Sequence, residues 1–144
     1  MSTQLAPIPV LAPGTYTVKQ ILEWAIGVVE AEPRRLFMYN WMTYYKGEPV
    51  FGAREPAPNN PVQVPACGTV GCLAGWIGLG IGMEDPEVIS GTPVLDALSM
   101  EGRARSDLYR IFSMAEATTE QALAELKAYI KYYDEKLQLT YTVE

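Results

Sequence analysis

Histidine is absent from all 144 residues. Without an imidazole, the usual dyads and triads that activate a serine or cysteine nucleophile have no base. Cysteine is nearly as scarce. Cys67 and Cys72 are the whole supply, too few for a disulfide framework and too few for a four-ligand zinc site. Their spacing is not the C-x-x-C of redox proteins. No Gly-x-x-x-x-Gly-Lys-Ser/Thr loop occurs, and the run Gly78-Leu79-Gly80-Ile81-Gly82 leads into acids that repel phosphate.

Positive charge is also in short supply. Eleven Lys and Arg face seventeen Asp and Glu, for a net charge of −6. Residues 1–72 are balanced, so the whole deficit lies in residues 73–144. An acidic surface repels phosphate, which argues against nucleic acid and anionic membranes as partners. It suits a basic partner, or simply solubility. Residues 56–83 carry no charge at all. Pro58, Pro61 and Pro65 break the first half of that run. Ala66–Met83 remains, flanked by Glu84 and Asp85 rather than by Lys or Arg. A span needs about 20 mostly apolar residues, so a helix buried in a protein core is the better reading. Met1–Ala12 has no basic n-region and contains Pro7 and Pro9. It is not read as a signal peptide, and the expected location is the cytoplasm.

What is present is the composition of a globular protein, 49% apolar and 19% charged. The expectation is a single domain over 1–144, with a loose arm at 1–14 and a proline-rich loop at 47–65. The fold class is mainly α: a compact helical domain around a central apolar, glycine-rich helix. It has room for one small β element, with α+β as the alternative. Val18–Ala31 repeats apolar residues at helical spacing behind Thr15 or Thr17 as cap, and Pro33 ends it. Leu36–Tyr45 is densely apolar and aromatic without a clear period. Thr69–Gly82 reads as the central helix, capped by Thr69. Gly71, Gly75, Gly78 and Gly82 would then form a bare stripe that admits another helix or an aromatic ring. Thr92-Pro93 opens a short helix over Val94–Ser99. Ser106 or Asp107 caps one over Leu108–Ala115. Thr118 and Gln121 form a capping box for the longest helix, Thr119–Leu137. Leu139–Val143 alternates like a terminal strand.

Two zones draw attention for function. Cys67, just before the central helix, is the one catalytic candidate, because a helix dipole lowers a thiol's pKa. No base accompanies it, and burial as an ordinary apolar residue is the expected role of Cys72. A Cys67–Cys72 disulfide stays open if Cys67 lies off the helix. The second zone is basic and aromatic: Arg34, Arg35, Trp41, Tyr44 and Tyr45. Such residues serve as core with a snorkelling rim, or as interface candidates, since Trp, Tyr and Arg dominate binding hot spots. No residue set is assigned to a metal or cofactor.

The segment Cys67-Gly68-Thr69-Val70-Gly71-Cys72-Leu73-Ala74-Gly75-Trp76 carries a resemblance. With Glu32–Met38 and Trp41 before it, and Leu108 and Phe112 after it, it resembles a group of small phage and bacterial proteins. That group carries a C-G-T-x-x-C-x-A-G-W signature. Cys67, Gly68, Thr69, Cys72, Gly75 and Trp76 stand at its fixed positions. The resemblance implies an accessory protein in a host cytoplasm and brings no catalytic residue with it. The expected function is non-enzymatic binding to a protein partner, with homo-oligomerisation open. A thiol-dependent enzyme or redox protein using Cys67 is the alternative, and a virion or assembly component the third reading.

Overall fold

A computed structural model describes residues 8–36, 38, 42–44, 69–83 and 91–144, with backbone alone for 42–44 and 69–70. Trp41, Tyr45, Cys67, Gly68 and the 47–65 loop lie outside the described residues. The described chain is mainly helical: α1 (Val18–Ala31), α2 (Leu73–Gly80), α3 (Gly91–Ala97), α4 (Gly102–Phe112) and α5 (Thr119–Tyr132). Two antiparallel strand pairs accompany the helices. β1 (Gly14–Thr17) pairs with β4 (Thr140–Val143), and β2 (Met42–Tyr44) pairs with β3 (Thr69–Gly71).

α1 has the bounds its periodicity predicts. Thr17 Oγ1 accepts the Gln20 amide at 3.1 Å, and Gln20 Oε1 accepts the Thr17 amide at 2.9 Å, which settles two of the orphan donors at the helix start. Val18, Ile21, Leu22, Ala25 and Val29 are fully buried. Burying one such aliphatic side chain contributes about 1.5–3 kcal/mol. α5 begins with the same device, Thr118 with Gln121, as the sequence predicts. It ends at Tyr132 rather than Leu137, and a short 3-10 turn at Lys136–Gln138 carries the chain on. Leu137 is buried all the same. α1 and α5 run antiparallel: Lys19 meets Asp134 at 2.6 Å, and Glu30 meets Lys127 at 3.0 Å.

The central helix departs from expectation at both ends. Thr69 is not its cap. Thr69, Val70 and Gly71 form β3, and α2 starts at Leu73 behind Cys72 in extended conformation. The β-branched pair Thr69-Val70 suits a strand, and its partner β2 lies some 27 residues earlier, out of reach of a local window. Gly82 lies beyond the helix with φ +101°. Its amide donates to Leu79 O, and the Met83 amide donates to Gly78 O. These two bonds make a Schellman cap with Gly82 at the left-handed position. The four-glycine stripe is therefore not one helical face; only Gly75 and Gly78 of the four lie on α2. An aromatic ring does approach, but at Gly80, where a Cβ would overlap Trp24 of α1. The prediction that the helix is central holds: every residue of α2 is buried.

α3 starts three residues before Val94 and ends in a second Schellman cap, with Ser99 at φ 57°. α4 starts at Gly102, not Leu108. Ser106 and Asp107 sit inside it rather than capping it, and Ser106 Oγ donates back to Gly102 O at 3.3 Å. The terminal strand is present as β4. In the described part of residues 1–14, ahead of its partner β1, Leu11 is buried and its amide donates to Gly80 O at 3.2 Å.

Candidate functional site

The two zones that stand apart in the sequence meet in space. The Trp76 indole Nε1 donates to Arg35 O at 2.7 Å. Leu36 forms an isolated bridge with Gly71. Tyr44 lies opposite Thr69 in the β2–β3 register. Trp76 is the largest fully buried side chain among the described residues, and its N–H would be an orphan without that carbonyl. Arg35 Nη1 donates to Val28 O at 2.8 Å and so caps the end of α1. Its Nε is buried and finds no acceptor among the described residues. Arg34 is turned the other way. Its Nε and Nη2 reach both carboxylate oxygens of Glu32 at 2.9 and 3.0 Å. That pairing holds the Glu32 carboxyl below its ordinary range and raises the Arg34 guanidinium. Of the sequence-derived interface candidates, Arg35 is thus committed to the backbone and Arg34 to a neighbouring carboxylate.

The thiol at the start of α2 is Cys72, not Cys67, because the helix cap falls three residues later than expected, at Cys72 rather than Thr69. Two effects compete there. The backbone amides of Gly75 and Ala74 favour a thiolate, as helix N-termini do. Complete burial opposes it and wins, pushing the thiol up to about 12. At neutral pH Cys72 is protonated and enclosed, a small apolar residue in chemical behaviour. No group of three or more acidic or thiol side chains is placed to hold a metal ion among the described residues.

An exposed surface of different character lies along α4 and α5. Tyr129, Tyr132 and Tyr133 cluster at the end of α5. Tyr129 is buried, and its hydroxyl donates to Ala104 O at 2.7 Å. Burial pushes its ionisation up. The Tyr133 hydroxyl donates to the Asp107 carboxylate, and that bond raises the phenol. Tyr132 is 78% exposed, yet its ring stands edge-on to Tyr133 with centroids 4.8 Å apart. An apolar ring in water is held by a neighbour that is itself held by α4. Below it, α5 shows Ala128 and Glu125, and a shallow depression of about 810 Å³ opens where α4 turns into α5.

Tyr132 was not among the sequence-derived candidates. Its signal is the Tyr132-Tyr133 doublet at the end of an amphipathic helix. Successive residues are about 100° apart on a helix, so when Tyr133 joins the inward face its neighbour turns outward. Among the described residues no helix is long and apolar enough to cross a membrane. Compared with protein-family models, with curated proteins and with solved structures, the chain gives no match.

Proposed function

We propose that this chain is a non-enzymatic binding protein whose partner is another protein. We further propose that it serves as an accessory protein of phage or bacterial origin in the host cytoplasm, as the C-G-T-x-x-C-x-A-G-W resemblance implies. The observation that carries the reading is Tyr132: a large exposed ring that rests edge-on against Tyr133, whose hydroxyl donates to Asp107. A pre-positioned tyrosine loses little rotamer freedom on binding, which is why such residues serve as anchors. The thiol-dependent alternative gains nothing from Cys72, which burial keeps protonated.

The test is site-specific photo-crosslinking in the host bacterium. A photoreactive residue at Ala128, on the Tyr132 flank, gives a discrete protein adduct. The same residue at Glu23, exposed on α1, gives none, and Tyr132→Ala removes the Ala128 adduct. Equal labelling from both positions, or no adduct from either, sinks the proposal.

A further inference from the structure

We infer that the outer edge of β4 is a self-association surface. Two copies pair β4 with β4, antiparallel about a two-fold axis at Tyr141, into one sheet of order β1–β4–β4–β1. The interface is separate from the α5 flank and stands apart from the partner-binding reading.

The backbone of β4 is half used. The Val18 amide donates to Leu139 O at 2.8 Å, and these two residues stand opposite each other when the β1–β4 register is carried one rung on. Hydrogen-bonded and non-hydrogen-bonded pairs alternate in an antiparallel ladder. Tyr16–Tyr141 and Gly14–Val143 are therefore the bonded pairs, and Thr17–Thr140 and Thr15–Thr142 the others. Two further contacts agree. The hydroxyls of Thr15 and Thr142 meet at 3.0 Å, as the closer non-bonded pairs allow, and the Thr17 amide is turned to Gln20 Oε1. The N–H and C=O groups of Thr140 and Thr142 thus point away from β1. They find no partner among the described residues, and both threonines are exposed.

The two edges of the ribbon differ. On β1, Pro13 precedes the strand and the Thr17 amide belongs to the capping box, so little backbone is left to pair. Proline, lysine and bulges are what blunt an edge. β4 has none of them: Thr140–Val143 is uncharged, β-branched and aromatic.

The pattern of side chains selects the occupant. Leu139-Thr140-Tyr141-Thr142-Val143 reads nearly the same in both directions. An antiparallel copy centred on Tyr141 sets Thr140 against Thr142, Tyr141 against Tyr141, and Leu139 against Val143. β4 already holds such a strand on its inner edge, because β1 contains the same Thr15-Tyr16-Thr17 in that register. A second copy offers the outer edge what the inner edge accepts. The parity is right as well. Thr140 and the second copy's Thr142 exchange both backbone bonds, and the axis repeats them. Tyr141 meets its counterpart at a close non-bonded position, where aromatic cross-strand pairs contribute. Leu139, 46% exposed, gains the second copy's Val143 as a neighbour. Like charges do not meet. Glu144 comes opposite Gln138, and each Glu144 lies three residues from the axis on its own side. The two carboxylates are then about 20 Å apart at about 3.3 Å per residue, well beyond a Debye length of about 8 Å.

The experiment uses the full chain at about 0.15 M salt, which screens the net −6 on each copy. A strand pair is a small interface, so dimer forms near about 0.1 mM, and sedimentation velocity from about 0.01 to about 1 mM follows it. Over that range amide hydrogen exchange at Thr140 and Thr142 slows at least fivefold, while Thr15, whose amide faces outward from β1, is unchanged. Thr142→Pro removes an outward N–H that β1 does not use, and weakens dimerisation at least tenfold. Thr140→Lys with Thr142→Lys abolishes it, as does Thr140→Glu with Thr142→Glu. Mixing these two double variants restores a mixed dimer, which also shows that both fold. A chain that stays monomeric at the highest concentration overturns the inference. So does a dimer that survives Thr142→Pro, as exchange of β1 between copies or contact through another face would. Charge variants that are folded by circular dichroism yet do not pair when mixed overturn it too.

Discussion

α2 and α5 are opposite uses of a helix. α2 is eight residues long, has no charge, and is buried on every side. α5 is fourteen residues long and buries one face, leaving Glu125, Ala128 and Tyr132 to solvent. α2 gains its place from its neighbours: Trp24 covers Gly80, Arg35 O takes the Trp76 N–H, and β3 leads the chain in. α5 carries its own start signal and a clear amphipathic stripe. The difference teaches where a substitution is felt. Changes in α2 are expected to act on stability; changes on the outer flank of α5 are expected to leave the fold alone and, on the proposed reading, to act on binding.

The largest expected effect lies in α2. Trp76→Ala removes a fully buried ring and costs about 3–5 kcal/mol. Urea denaturation measures it, and a loss under 1 kcal/mol would break the contrast. Alkaline pH comes next. An unfolded thiol ionises from its ordinary 9.0, while Cys72 in the fold stays protonated to about 12. The folded state therefore holds more protons through this window. The stability this group contributes is intact below pH 9 and declines as pH rises, at up to about 1.4 kcal/mol per pH unit. Cys72→Ala flattens that slope, and an unchanged slope from pH 9 to 11 shows that the thiol is not shielded. Gly80→Ala follows, at about 1–3 kcal/mol for the clash with Trp24, less about 1 kcal/mol that alanine gains over glycine in a helix. Trp24→Leu combined with Gly80→Ala recovers part of the loss if the ring is the obstacle. The smallest effect belongs to α5. Tyr132→Ala shifts stability by less than about 0.5 kcal/mol, as exposed positions do, while abolishing the crosslink at Ala128. A thermal scan showing a large drop for Tyr132→Ala would erase the distinction between the two helices.

The same contrast explains what could be read in advance. The mainly helical fold, both ends of α1, the start of α5 and the terminal strand all follow from signals within a few residues of each other: Thr17 before Val18, Pro33 after Ala31, Thr118 with Gln121. The start of α2 does not. Thr69 looks like a cap until β2 supplies a strand partner from residues 42–44, and that pairing is decided by tertiary structure. Ser106 and Asp107 look like caps too, but Gly102 begins α4 a turn earlier. Of the candidate site, Arg34 and Arg35 stand out in the sequence, and the fold turns both toward local structural partners. Tyr132 does not stand out, because an exposed tyrosine gains meaning only beside Tyr133 and Asp107.

The β1–β4 pair has a mechanical consequence. Its register sets Gly14 opposite Val143 and Thr17 opposite Thr140. Chain leading into Gly14 and chain leaving Val143 therefore emerge from the same end of the ribbon. Tension applied between them reaches the ribbon once the Leu11 anchor on Gly80 O has yielded, and then loads the Gly14–Val143 rung first, Thr15–Thr142 next, and the rest in turn. Rungs that open one at a time give way at lower force than rungs sheared together. The pair is a zipper rather than a clamp, and once it opens, Val18 loses its bond to Leu139 O and the first turn of α1 becomes the next element to bear the load.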